Sequence, residues 1–366
     1  MSGQSARIAF LGDMAMVGAF DLKTDADAAK KLDCLKKMLS SYDYVVANLE
    51  SPLTEKRRTA ICKSMHLRSD PTNVRLLKYL GVNAVTLANN HVWDFGAKGL
   101  QDTIDTLDQN GIDWYGVNGK TLLKEICGQK IRFSGFCCLS TNGVKLREAS
   151  SGRGVHLLTR ESVMRQLEQD REDGTFSVLS VHWGREHTNY PAIEHVRLAE
   201  SLTEVKPLLI HAHHPHQIQG IEEKNGSLIA YSLGNAIFDD TVSINGGFRV
   251  AMNEENRKSF ILGVEIADGS IVSHDIQGFW IGTDGIAGYD MEQDVGTASE
   301  GLEKIVDPEA YNRMRKEQFQ RVMQEKFGKH DLKWALSRFN YYSIGAKIIS
   351  KLNHRRYARE KQQWKR

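Results

Sequence analysis

The side chains in this sequence that can do chemistry fall into short polar clusters, most of them following an apolar run. In chain order they are Gly12-Asp13, Asn48-Leu49-Glu50, Asn89-Asn90-His91 with Asp94, His182 with Arg185, His211-Ala212-His213-His214-Pro215-His216, and Tyr231-Ser232-Leu233-Gly234-Asn235. Carboxylate, amide and imidazole without a thiolate form a donor set for hard or borderline cations. Two such ions can clamp an anionic group and generate hydroxide at neutral pH, so the set points to metal-assisted hydrolysis.

Each cluster also has a plain structural reading. Asp13 suits a turn or a helix N-cap. Strand alternation would put Asn48 and Glu50 on one face, opposite Leu49, but a surface turn before Pro52 fits as well. Asn90 can offer an amide oxygen to a metal, and His91 can bind metal or act as an acid with Asp94 orienting its ring; a polar turn with a satisfied core histidine is the alternative. His182 reads equally as a buried structural histidine. His214 and His216 are two apart and can face the same way, which favours ligation over a fortuitous histidine-rich loop. Asn235 can orient a histidine or contact substrate, or simply sit in a turn. What these clusters share is placement: each ends a predicted strand, where α/β sheets open their ligand crevices.

The elements that must position them come from periodicity. Ile8–Leu11, Tyr44–Leu49, Ala84–Leu87, Ile131–Leu139, Phe176–Val181 and Leu208–Ile210 read as strands. Helical patterns lie between them, one opened by Pro71 and stopped by Gly81. That rhythm predicts an α/β core with substantial parallel pairing. Leu228–Ser232, Phe248–Met252, Phe260–Ile266 and Ile271–His274 then follow without helices, with Asp268-Gly269 as a hairpin turn. A second, more antiparallel sheet is the expectation. Glycine-rich residues 285–301 read as a linker. Beyond them Leu332, Leu336, Phe339, Ile344, Ile348 and Leu352 are spaced as one apolar helical face.

The totals restrict partners more than chemistry. The chain has 366 residues and a net charge of +2, but residues 301–366 hold 17 Lys+Arg against 7 Asp+Glu. This basic end suits a peripheral anionic membrane surface, a protein contact or a solvated helical edge. No nucleic-acid reader motif is present. Cys34, Cys62, Cys127, Cys137 and Cys138 form no C-x-x-C pair and read as reduced thiols. No signal peptide or membrane-spanning stretch is expected, which places the chain in the cytoplasm or peripherally at the inner membrane surface.

The clusters resemble those of the CapA-type poly-γ-glutamate capsule-synthesis proteins, a branch of the calcineurin-like metallophosphoesterase superfamily. The segments carrying the resemblance are Leu11-Gly12-Asp13, Asn48 to Thr54, Ala88 to Gly96, His182 to Glu186, His213 to His216 and Tyr231 to Asn235. The resemblance implies a four-layer αββα sandwich of two mixed sheets with outer helices, here with a C-terminal helical extension. It implies one divalent ion (Mn, Fe or Zn) held by Asp13, Glu50 and His216, and Glu50 bridging to a second completed by Asn90, His182 and His214. His91 would protonate the leaving group with support from Asp94. Arg185, Asn235 and His213 are the candidates for holding an anionic small-molecule or polymer substrate, with Arg57 and Lys63 behind Arg185. The superfamily has a histidine where this chain has Ala15, so the first site lacks a ligand; His66 is an outside candidate to replace it. The chain thus reads as a metallophosphoesterase-like core at 1–284, a linker at 285–301 and a basic helical extension at 302–366. The expected function is a divalent-metal-dependent hydrolase of phosphoester type linked to capsule or cell-surface polymer synthesis. The alternative is a non-hydrolytic metal- or anion-binding factor in poly-γ-glutamate or polysaccharide assembly.

Overall fold

Strand alternation sorts the buried side chains into two cores. In the fully buried strand Tyr44–Leu49, Val45, Ala47 and Leu49 enter one core while Tyr44 and Val46 enter the other, because successive side chains point to opposite faces. The computed structural model describes residues 4–141, 153–242, 244, 249–328 and 341–364.

The first sheet begins with the parallel strands β1 (Ala6–Met14), β2 (Tyr44–Leu49), β3 (Ala84–Thr86) and β4 (Asp113–Tyr115), adjacent in that order. The second takes β5 (Leu122–Ile126), β6 (Gln129–Cys137), β7 (Phe176–His182), β8 (Leu208–His213), β9 (Ile221–Lys224) and β10 (Ser227–Ala230) in the order β5-β6-β7-β8-β10-β9. Its four inner strands are parallel and its two edges antiparallel. The chain then returns to the first sheet with β11 (Asn235–Ile237). A two-residue ribbon, β12 (Thr241–Val242) with β13 (Arg249–Val250), precedes the long pair β14 (Lys258–Ala267) and β15 (Ser270–Ile281) and the short β16 (Ile286–Gly288).

The expected second antiparallel sheet is therefore corrected. β14 pairs antiparallel with β1 and extends the first sheet, while the second sheet is mainly parallel. The Asp268-Gly269 turn has φ of 51° and 70°, the double-positive geometry that two-residue hairpins favour. Both sheets are mixed, and they pack face to face. Tyr44 stacks on Phe133 with ring centroids 5.7 Å apart, and the Tyr115 hydroxyl lies 2.7 Å from that of Ser180. Helices Asp33–Leu39, Val74–Leu80 and Gly96–Gln109 cover the first sheet, and Arg160–Glu172 and Ile193–Thr203 the second, completing a four-layer αββα sandwich.

The expected linker is ordered: β16 and helix Glu292–Glu303 occupy it, with Val295 and Ala298 buried and the helix backbone at Ala298 and Ser299 packed against Gly220. Helix Pro308–Phe327 docks through Tyr311, whose hydroxyl donates to the Pro191 carbonyl at 2.9 Å. Helix Tyr341–Gln363 docks through Asn353, Tyr357 and the adjoining Trp364. The expected apolar face is wrong where it can be followed. Ile344, Ile348 and Leu352 are 43%, 59% and 52% exposed, while Leu332, Leu336 and Phe339 lie outside the described residues. Among the described residues no helix is long and apolar enough to cross a membrane.

Candidate metal centre

The clusters converge because strand alternation and one bulge aim them into the gap between the sheets. On β7, Phe176, Val178, Ser180 and His182 share the inner face; on β8, Leu209, His211 and His213 do. On β1 the inner residues are Ala6, Ile8 and Phe10, so simple alternation would turn Asp13 outward. The register shifts between Phe10 and Asp13 and brings Asp13 level with Asn48 of β2, on the inner face. Asn48 Nδ2 donates to Asp13 Oδ1 at 2.6 Å. At the same point β11 takes the place of β14 beside β1, pairing Asp13 with Asn235. Gly12 permits this approach, since a Cβ there would lie 2.0 Å from the Gly234 carbonyl oxygen.

Asn89 ties the next cluster in place. Its Nδ2 donates to Asn48 Oδ1 and the Leu49 carbonyl, and its Oδ1 accepts from the His91 backbone N–H. After β8, His214 and His216 adopt φ of 104° and 55°, a region side chains rarely occupy. The turn brings both rings back to the centre, and the His214 N–H donates to Asp13 Oδ2 at 3.0 Å.

Three overlapping groups of donor atoms result, each spanning no more than 4.8 Å: Asp13, Glu50 and His216; Glu50, His182 and His214; and Asp13, His182 and His213. Asn90 Oδ1 lies 2.9 Å from His182 Nε2, beside the second group. Glu50 Oε1 stands 3.8 Å from His182 Nε2 and 3.7 Å from His216 Nε2, and neither Glu50 oxygen has a hydrogen-bond partner among the described residues. The buried Nδ1 of His214 has none either. A buried carboxylate facing several imidazoles with its oxygens unbonded is costly as it stands, and a cation between the groups would satisfy it. The residues present fit one or two divalent ions.

The electrostatics follow from burial. Burial, with Asp13 next in effect, pushes Glu50 well above the ordinary carboxylate range. It also raises Asp13, outweighing the pull of His216 and the Asn48 hydrogen bond. Burial holds His182 and His214 well below the usual imidazole range, leaving them neutral as ligation requires.

His91 stands at the rim of this centre. Its Nδ1 lies 2.8 Å from Asp94 Oδ2, and its Nε2 is 3.9 Å from Glu50 Oε1. Burial and then the Lys63 ammonium push it down to about 4. Burial alone would raise Asp94, but Lys63 and His91 outweigh it and hold the carboxyl low.

A family model described as bacterial capsule synthesis protein PGA_cap matches residues 7–240. The chain belongs to this family. It is 28% identical over 239 residues to the PGA biosynthesis protein CapA of Bacillus subtilis, a match covering 63% of this chain and 62% of that one. It is 28% identical over 213 residues to the capsule biosynthesis protein CapA of Bacillus anthracis, covering 55% and 52% respectively. The chain thus spans less than two thirds of either relative's length. Among solved structures, the calcineurin-like phosphoesterase YfkN of Bacillus subtilis aligns with a TM-score of 0.41 at 14% identity, over 88% of this chain and 98% of that one.

The family match contains the whole expected ligand set, Asp13, Glu50, Asn90, His182, His214 and His216, and these are brought together. Other expectations need correction. His213 is fully buried behind His182, the two Nδ1 atoms 2.8 Å apart, so it cannot reach a substrate. Arg185 is not among the residues lining the cavity beside His91 and His216; its guanidinium carbon lies 3.3 Å over the Phe319 ring. Lys63 is buried with its ammonium 2.6 Å from Asp94 Oδ1 and 3.0 Å from the Asn90 carbonyl, an internal brace. His66 does not join the donor groups; its Nε2 lies 2.8 Å from the Ile61 carbonyl. Asn235 meets His216 Nδ1 through Oδ1 at 2.9 Å, which orients that ring. Ala15 sits in a small apolar cluster with Leu67 and Phe238. Two positioning residues carry no expectation from the sequence: Asn89, described above, and Asn256, whose Nδ2 donates to the His216 carbonyl at 2.7 Å. Only the Asn89-Asn90 repeat offers a local signal; Asn256 depends on distant pairing.

Proposed function

We propose that the chain is a divalent-metal-dependent hydrolase of phosphoester type, serving capsule or cell-surface polymer synthesis. The observation that carries this reading is Glu50, a buried carboxylate with both oxygens unbonded between two donor groups. Asp13, Glu50 and His216 would hold one ion; Glu50, Asn90, His182 and His214 the other. Ions there would supply Lewis acidity and lower the pKa of water. Asp94 stays ionised and accepts the hydrogen bond of His91 Nδ1–H, which turns Nε2 to the cavity side; a proton taken up at Nε2 would pass from there to the leaving oxygen, returning the ring to its neutral Nδ1–H form. Asn235 and Asn48 fix His216 and Asp13 against rotation. The link to capsule synthesis rests on the names of the relatives.

Elemental analysis of purified protein, paired with a panel of phosphomonoesters and diesters, tests the reading. At least one equivalent of metal is expected, falling in His214→Ala together with any hydrolysis. Metal content below one equivalent and indifferent to His214→Ala would sink it. One observation favours a second reading, a non-hydrolytic binding factor: the apolar surroundings of Ala15 leave the first donor group one ligand short. Full rescue of a deletion strain by His91→Ala would favour that reading, whereas retained metal with lost function would favour hydrolysis.

A further inference from the structure

Helix Tyr341–Gln363 has one face pinned to the core and one face open. The pinned face carries Asn353, Tyr357 and, just past the helix, Trp364, all buried. The Tyr357 hydroxyl lies 2.9 Å from His195 Nε2, and Lys361 closes an ion pair with Glu194 at 3.1 Å. These contacts fix how the helix is rotated, so its other face cannot roll inward. On that other face Tyr341, Ile344, Ile348 and Leu352 are all exposed. Their spacing of three, four and four residues puts them on one line, roughly 16 Å long at the rise of an α-helix.

Cations accompany the line. Lys347 and Lys351 flank it on one side, and Arg355 and Arg359 continue it toward the C-terminus; all four are exposed. No Asp or Glu occurs from Tyr341 to Arg359. Among the described residues none of these four cations closes an ion pair, in contrast to Lys361. Aliphatic side chains left together in water mark a contact surface, and the charge decides what meets it. A second copy docking about a twofold axis would set its own lysines and arginines against these, like against like. An anionic lipid leaflet offers acyl chains to the aliphatic line and phosphate groups to the cations, whose long stems can reach from one to the other.

The same helix borders the cavity beside the metal centre. Tyr342 meets His66 edge-on with ring centroids 5.9 Å apart, and a Cβ at Gly345 would lie 2.5 Å from Cys62 Cβ. Met65, between Cys62 and His66 in the chain, lines that cavity together with Leu67, His91 and His216.

We propose that the open face of this helix docks on an anionic lipid bilayer. Tyr341, Ile344, Ile348 and Leu352 enter the headgroup region, and Lys347, Lys351, Arg355 and Arg359 meet the lipid phosphates. The docking goes beyond the phosphoester reading and does not depend on it.

Vesicle flotation of the full chain tests this, with phosphatidylcholine alone and with an equimolar mixture of phosphatidylcholine and phosphatidylglycerol. Two variants accompany wild type: the aliphatic triple Ile344→Ser, Ile348→Ser, Leu352→Ser and the cationic triple Lys347→Gln, Lys351→Gln, Arg355→Gln. Circular dichroism shows that each is folded. Wild type is expected to bind the mixed vesicles about tenfold more tightly than the neutral ones, and less so at high salt. Either triple should weaken binding to the mixed vesicles by about tenfold or more. Equal binding to both vesicles, no binding to either, or a triple that binds like wild type would overturn the proposal. So would a wild-type dimer in lipid-free sedimentation that the aliphatic triple converts to monomer, since a second copy would then cover the face.

Discussion

Glu50 sets the terms at the scale of single residues. Replacing it with Gln removes a carboxyl group whose burial without a bonding partner disfavours the folded state at neutral pH, so the metal-free protein should gain about 1–3 kcal/mol. The same change removes the proposed bridge, so addition of manganese should no longer raise the melting temperature. Calorimetry of both proteins with chelator and with metal checks this, and a metal response equal to wild type would contradict it. His195 supplies a pH prediction away from the centre. Burial drives its pKa down to about 3, against an ordinary value of 6.5. With the folded value depressed, the unfolded chain binds protons first as pH falls below 6.5, so stability declines from there downward. In chelator, urea midpoints should fall between pH ~7 and ~5, and His195→Gln should flatten that slope. Residue types were the most legible part of the sequence: the Asp, Glu, Asn and His expected at strand ends do meet. Accessibility was not legible. His213 and Lys63 looked like reaching groups, but nothing local tells a histidine on the inner face of β8 from one at its mouth.

Elements decide how those residues are aimed. The passage of Gly12 against Gly234 is the tightest example. Gly12→Ala must push β11 from β1 and move Asp13 from Asn48 and Asn235, so a loss of about 2 kcal/mol or more is expected with weakened metal uptake. Unchanged stability in chemical denaturation would count against this account of the junction. On helix Tyr341–Gln363, the Tyr357 hydroxyl lies 2.9 Å from His195 Nε2 and 3.2 Å from Glu194. Tyr357→Phe should therefore cost about 1 kcal/mol, read from denaturant midpoints. Periodicity located that helix but chose the wrong face, because it tracked aliphatic residues. The buried stripe is Asn353, Tyr357 and Trp364, whose polar atoms concealed it in the sequence. Residues 285–301 misled for the opposite reason: their glycines suggested a connector, yet Val295 and Ala298 anchor a helix there.

The centre draws on both sheets of the whole molecule, β1 and β2 on one side and β7 and β8 on the other. Cations bound there would fasten the two halves together. Removing them should lower overall stability by about 2.7 kcal/mol relative to a metal concentration one hundred times the dissociation constant. Differential scanning calorimetry across a manganese titration would show it; an unchanging transition would argue against a shared site. Sheet membership was the least legible property, since it is set by pairing across the chain: β14 joins β1 and not the strands just before it. That crossing bears on the order in which the protein is made. Asp13 precedes Asn48, Glu50, His214 and Asn235 in the chain, and of these only the Asn48–Glu50 segment can meet it early. Asn235 arrives only after more than two hundred further residues, and β14 after that. A nascent chain therefore carries its first carboxylate long before it has a place to hold a cation. Ion loading is expected to wait until both sheets are in place, drawn from whatever metal surrounds the chain by then.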